Sequence, residues 1–291
     1  MQEWNYENEQ WTKLPLHLRH LPLFTRHLDW ASIFIRWLWA NFLKLVFFRF
    51  YIRLKVVGDF GDVYKKHPRL IVISNHASHL DAISIAAAIP FRYWLSLYIA
   101  AAKDYFFANY WMSFFSKHCI GAIPIDRKER KGESVRLCLD LLKRLHRIWM
   151  VIFPEGTRTQ TGKIGRFKKG ISMFSERTNT PILFLFLEGA YDLWPKGAGF
   201  AHPGKLIVHV GPVHPPAAID QIYDSYKKWI ESIHPGLFEE DLPKDGPAKE
   251  VTPPTGELQV DLIQEGLDLS DKAETEPEVD PEAESDPQEF S

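Results

Sequence analysis

Between residues 69 and 213 the sequence repeats one rhythm, a short apolar run followed by a helical stretch. "RLIVIS" precedes "HLDAISIAAAI", which Pro90 ends, and "LYIAA" precedes "DYFFANYWMSFFSKH". "GAIPID" precedes "ESVRLCLDLLKRLHR", where Val135, Leu139, Leu142 and Leu145 recur at helical spacing. "WMVIF", "PILFLFL" and "LIVHV" are further strands, with "GISMFSERTN" as a helix between the first two. Uninterrupted apolar strands need cover on both faces, and parallel strands need crossover helices to supply it. The rhythm therefore predicts a single α/β domain with a mostly parallel mixed sheet flanked by helices.

Charge is divided unevenly around that domain. Residues 238–291 hold 18 Asp+Glu against 3 Lys+Arg, and residues 1–237 hold 19 against 32, so a tail of net −15 follows a body of net +13. A basic body suits an anionic partner such as phosphate groups or anionic lipid. The tail is rich in Pro, Glu and Asp, and its composition predicts disorder. The expected division is a membrane-associating segment over 1–57, the α/β domain over 58–237 and the acidic tail over 238–291. Cys119 and Cys138 are too few and too unpatterned for a disulfide framework or a zinc site. The first 29 residues lack a continuous apolar core, so no signal peptide is expected.

Residues 30–57 are the most hydrophobic stretch, yet Arg36, Lys44, Arg49 and Arg53 interrupt it. No uncharged run approaches the roughly 20 residues of a spanning helix. Arg36, Lys44 and Arg53 recur at spacings that place them near one helical face, with Trp, Phe and Leu filling the rest. That pattern predicts an amphipathic helix lying in a membrane interface, with packing on the core as the alternative.

Chemistry concentrates where strands end. "NHASHLD", Asn75 to Asp81, follows "RLIVIS", at the end of the strand where α/β sheets place their sites. Ser78 and Asp81 resemble a capping box, which starts a helix inside the stretch. A carboxylate behind an imidazole can accept its Nδ1–H and leave Nε2 free as a base. His76, His79 and Asp81 could also be read as metal ligands, or the stretch as a polar turn only. Two further strands end likewise, "VIFPEGTRT" with Glu155, Gly156, Thr157 and Arg158, and "GAIPIDR" with Arg127. Gly156 admits close backbone approach, and each arginine offers a planar fork suited to phosphate. "KIGRFKKG" adds Lys163, Arg166, Lys168 and Lys169.

These blocks, in this order, resemble the glycerolipid acyltransferase family, typified by bacterial 1-acylglycerol-3-phosphate acyltransferase. His76 and Asp81 match its His-x4-Asp block, Arg127 its second block and Phe153–Thr159 its FPEGTR block residue for residue. Lys103 matches a lysine often found before the second block. In the fourth block Pro181 is kept, but Phe184 or Phe186 stands where a second proline is usual. The resemblance covers residues 55–215.

The resemblance implies a membrane-associated O-acyltransferase of phospholipid biosynthesis. It would move a fatty acyl group from acyl-CoA or acyl carrier protein to a lysophospholipid, most directly 1-acylglycerol-3-phosphate. His76 is then the base and Asp81 its orienter, with His79 a bystander. Glu155 and the turn at Gly156 and Thr157 would hold the glycerol, and Lys103, Arg127 and Arg158 would serve substrate binding, the two arginines at the phosphate. No metal or cofactor is needed, since a thiolate leaves readily, and no nucleic-acid partner is expected. The resemblance places the enzyme on the cytoplasmic face of an inner membrane, without a span. The alternatives are acylation of another lysolipid, such as a lyso-aminolipid, or a non-catalytic lipid-binding protein of the same fold.

Overall fold

The computed structural model describes residues 30–102, 110–125 and 133–239. Lys103 and Arg127 lie outside the described residues, as do positions 1–29 and 240–291.

Each apolar run of the 69–213 rhythm becomes a strand of one seven-stranded sheet. β1 is Ile52–Val57, β2 Arg69–Ile73, β3 Leu97–Ala102, β4 Ala122–Ile125, β5 Ile148–Ile152, β6 Ile182–Glu188 and β7 Gly204–His214. Their order is β1-β7-β6-β2-β5-β3-β4, and every pairing is parallel except β6 with β7. β4 lies at an edge, where Pro124, which has no N–H to give a neighbour, is tolerated.

Alternation along the strands divides the core in two. Ile71, Ile73, Met150, Phe184 and Phe186 face a layer built by three helices: α5 (Glu133–Arg144), α6 (Gly170–Thr178) and α8 (Ile219–Glu231). Leu70, Val72, Trp149, Val151, Leu183 and Leu185 face the other layer. There lie α1 (Trp30–Asn41), its π-helical continuation Phe42–Tyr51, and α3 (Asp81–Ala88). Three shorter helices complete the set: α2 (Phe60–Lys66), α4 (Tyr110–Phe115) and α7 (Ala190–Leu193).

The N-terminal stretch departs from its sequence reading in two ways. The helix stops at Tyr51, and Ile52–Val57 pairs in parallel with β7 as an edge strand. The alternation of Ile52, Leu54 and Val56 with Arg53 and Lys55 is a strand period, so the α/β domain begins before residue 58. Arg36, read as part of a polar outer face, is buried instead, and its Nη1 donates to the carbonyl of Trp94 at 3.1 Å. Burial pulls the guanidinium down to about 10. Gly121, at φ 72°, leaves the notch that Arg36 enters, and a methyl group there would overlap the guanidinium. Lys44 also turns inward, donating from Nζ to the carbonyl of Ile89 at 2.7 Å. The outward face is apolar, made by Phe34, Trp37, Leu38, Phe42, Leu45, Val46 and Phe50.

The C-terminal boundary moves as well. Phe238 is buried against Tyr223, and it bridges to Ile164, so the domain runs past residue 237. α8, absent from the sequence reading, docks by Ile222, Tyr223, Tyr226 and Ile230. Among the described residues no helix is long and apolar enough to cross a membrane.

Candidate active site

β2 and β5 are parallel neighbours with Ile73 opposite Ile152, so the loops that follow them emerge side by side. The first carries residues 74–80 and the second residues 153–159. Three hydrogen bonds fix the first loop against the core. Asn75 Nδ2 donates to the carbonyl of Leu187 at 3.1 Å, and Leu187 N donates back to Asn75 Oδ1 at 2.8 Å. The backbone N–H of Asn75 donates to the Tyr226 hydroxyl, which itself donates to the carbonyl of Leu185 at 2.8 Å. Leaving one of these buried groups without its partner costs about 1–3 kcal/mol, so α8 and β6 hold the loop in one place.

α3 starts inside the stretch, at Asp81, two residues later than a capping box on Ser78 would open it. Asp81 Oδ2 accepts from the backbone N–H groups of Ala77 (2.7 Å) and Ser78 (2.8 Å), and from His76 Nδ1 at 2.8 Å. Asp81 is wholly buried, while the His76 side chain is 20% exposed. A carboxylate fixed by two N–H groups presents an acceptor to Nδ1 and demands a proton there, which leaves Nε2 with its lone pair. The ring is held flat on Phe153, centroids 4.1 Å apart at 14°. Asp81 Oδ1 and Ser84 Oγ are buried and have no partner among the described residues.

Glu155 brackets the two loops. Its Oε1 accepts from the backbone N–H of His76 at 2.7 Å and its Oε2 from that of Gly165 at 3.2 Å. Burial, against these two hydrogen bonds and with the nearby carboxylates of Asp81 and Glu239, pushes its carboxyl up to about 8. The sequence reading put Glu155 on glycerol, whereas in the structure both carboxylate oxygens hold backbone. Thr159 N adds a second tie, donating to the carbonyl of His76 at 2.8 Å. Gly156, at φ 73°, and Thr157 are the exposed part of this turn. Arg158 is half-buried, and its Nη1 has no hydrogen-bond partner among the described residues.

His79 stands apart from the pair. Its ring packs 4.9 Å from that of Trp194, and burial, then the Arg158 guanidinium, hold its imidazole below the usual value. Among the described residues no group of three or more His, Cys, Asp or Glu is arranged to hold a metal ion. Sequence reasoning missed Asn75, Phe153, Trp194 and Tyr226. Asn75 and Phe153 open two of the stretches read there but were given no role, and the other two come from far along the chain.

The structure thus gathers His76, Asp81, Glu155, Gly156, Thr157 and Arg158 at one end of the sheet. A family model described as Acyltransferase matches residues 58–186, the stretch that holds all six. Over that stretch the chain is similar to acyltransferases. Similar proteins include a chloroplastic 1-acyl-sn-glycerol-3-phosphate acyltransferase of Brassica napus, 25% identical over 64% of this chain and 52% of its own length. A putative one of Caenorhabditis elegans is 30% identical, over 60% of this chain and 62% of its own. The chain spans about half the length of the first of the curated relatives it matches. The crystal structure of the 1-acyl-sn-glycerophosphate acyltransferase of Thermotoga maritima aligns with a TM-score of 0.52 at 22% identity, over 71% of this chain and 82% of that one. The described α/β domain therefore shares that structure's fold.

Proposed function

We propose that this domain transfers a fatty acyl group from an acyl thioester to the free hydroxyl of a lysophospholipid, with 1-acylglycerol-3-phosphate as acceptor. The observation that carries this reading is the His76–Asp81 contact of 2.8 Å, in which the carboxylate is wholly buried and the imidazole remains accessible. The names of the relatives support the choice of acceptor.

In this reading His76 Nε2 takes the proton of the acceptor hydroxyl as its oxygen attacks the thioester carbonyl. A C–O bond forms, the C–S bond breaks, and the imidazolium returns the proton to the departing thiolate. Asp81 stabilises the imidazolium while it lasts, and positioned general-base catalysis of this kind contributes roughly a hundred- to ten-thousandfold. Arg158, half-buried beside the Gly156–Thr157 turn, meets the acceptor phosphate, joined by Arg127 and Lys103 as the family resemblance implies. The exposed Gly156–Thr157 turn lets the acceptor approach backbone. Acyl-CoA and acyl carrier protein are both suitable donors. The outward apolar face of α1 and its continuation rests on the lipid surface that holds the acceptor.

The test is turnover by purified, detergent-solubilised protein with labelled acyl-CoA and a panel of acceptors. Lysophosphatidic acid should be the preferred substrate, and Arg158→Ala should raise its KM roughly tenfold or more through loss of a charge-assisted fork. Lysine at 158 should restore only part of this. Monoacylglycerol should be a poor acceptor and indifferent to the change. Equal use of phosphorylated and neutral acceptors by the unaltered protein would overturn the assignment of the acceptor.

A further inference from the structure

The connection between β6 and β7, residues 189–203, is tied to its surroundings at three places. Its Trp194 carbonyl accepts from both Ser78 Oγ (2.8 Å) and His79 N (3.2 Å), clamping the loop that carries His76. Its Tyr191 hydroxyl donates to the carbonyl of Gln160 at 2.6 Å, beside the loop that carries Arg158. Its Ala201 carbonyl accepts from the hydroxyl of Tyr51 at 2.6 Å, the last residue of the N-terminal helix. The turn is closed from within, by Trp194 Nε1 on the carbonyl of Ala198 and by His202 N on that of Leu193. At its tip Phe200 is 86% exposed, and across the Tyr51–Ala201 bond Phe50 is 80% exposed.

A braced turn with an outward phenylalanine is not what solvent alone favours. Its surroundings say what covers it. Phe50 continues the outward apolar face of the N-terminal helix, so Phe200 extends that face to the rim of the site. Arg49, next to Phe50 in the chain, and Lys196 and Lys205, on either side of Phe200 in the chain, are exposed, and Lys205 lies opposite exposed Arg53 in the β1–β7 register. Asp192 is the acidic residue exposed on this segment. Apolar tips flanked by cations fit a bilayer bearing anionic phospholipid, where rings enter the acyl boundary and cations meet headgroups.

We infer that the β6–β7 connection is a second lipid contact, inserting Phe200 beside Phe50 so that the clamped His76 loop opens onto the bilayer. The inference rests on the reading of the N-terminal helix as lipid-facing and adds a point of insertion that the helix does not supply. An acceptor could then reach His76 while its acyl chain stays in the membrane.

The buried native cysteines, Cys119 and Cys138, allow a single engineered thiol to be labelled. Phe200→Cys, Leu45→Cys on the helix and Asp140→Cys on the exposed face of α5 are each labelled with nitrobenzoxadiazole. Each is mixed with vesicles of phosphatidylglycerol and phosphatidylethanolamine. The expected result is a blue shift with brighter emission at 45 and 200, quenched by spin-labelled acyl chains, and no change at 140. A shift at 45 without one at 200 overturns this inference and leaves the helix reading standing. No shift at either site, or no sedimentation with vesicles, overturns both. An equal shift at 140 means non-specific adsorption and also overturns it. As a second measure, Phe200→Ser should weaken vesicle partition roughly five- to tenfold, as expected for part of a phenylalanine's transfer energy.

Discussion

Asp81→Asn separates two ways in which a carboxylate can serve an imidazole, and the geometry chooses between them. Asp81 Oδ2 accepts three hydrogen bonds, from His76 Nδ1, Ala77 N and Ser78 N. Two of those donors are backbone N–H groups, which can only donate. Asparagine must therefore turn its carbonyl oxygen toward the loop and its NH2 toward the place of Oδ1. His76 keeps its proton on Nδ1, and Nε2 remains an acceptor. What disappears is the negative charge facing the imidazolium. A hydrogen bond to a charged group contributes about 1.5–3 kcal/mol and a neutral one about 0.5–1.5, so the loss is about 1–2 kcal/mol. That corresponds to roughly a five- to thirtyfold fall in kcat. An inverted amide would instead impose the wrong tautomer and cost about ten-thousandfold, the size seen in serine-protease triads. The assay is kcat and KM with lysophosphatidic acid and labelled acyl-CoA, with His76→Ala as the floor. The NH2 placed at the partnerless Oδ1 position should also lower stability by about 1–3 kcal/mol, so rates are read well below the melting transition. A well-folded variant as slow as ten-thousandfold would refute the argument from backbone donors.

Glu155→Gln leaves one of two backbone N–H groups facing an NH2, and should lower stability by about 1–3 kcal/mol in chemical denaturation. Because burial raises the folded-state value to about 8, above the ordinary carboxylate value, Glu155 contributes stability below about pH 4 that is lost as pH rises through about 8. The melting temperature should fall across that window, and the fall should be shallower in Glu155→Gln. His79→Ala should reduce kcat by no more than roughly fivefold, since the backbone bond from His79 N to Trp194 survives it. A loss equal to that of His76→Ala would replace the acid–base pair by a metal site. Tyr226→Phe removes the hydroxyl that links Asn75 to Leu185 and should cost about 1–3 kcal/mol in denaturant melts with far less effect on KM.

What could be read in the sequence was whatever lies close along it. His76 and Asp81 are five positions apart and share one turn, so their contact follows from spacing. The seven strands were legible in proportion to their apolar continuity: β2, β5 and β6 are unmistakable. β1, where arginine and lysine alternate with Ile52, Leu54 and Val56, passed for the end of a helix. Arg36 was misplaced because periodicity reports a face and not which way it turns, and burial of a charge depends on the Trp94 carbonyl and the Gly121 notch. The braces on the site were illegible for another reason. Asn75 meets Leu187 across 112 positions and Tyr226 across 151, and no local pattern encodes a partner at that range. Helix α8 did carry a signal in the spacing of Ile222, Tyr226 and Ile230, beyond the stretch where the rhythm had been followed.

The reversed strand β7 decides where this domain can be cut. The family match ends at residue 186, inside β6, and excludes both β7 and β1. A fragment of residues 58–186 would leave β6 as a naked border, with Ile182, Leu183, Leu185 and Phe186 stripped of the neighbour strand they now pair with. No lysine, proline or bulky charge interrupts that row, so it is a template for pairing with another chain. Such a fragment should precipitate, whereas one reaching from residue 30 to 239, which keeps α1 and its continuation over the second core layer, should stay dispersed in detergent. The smallest autonomous unit is thus set by who shields β6, and the matched segment falls short of it at both ends.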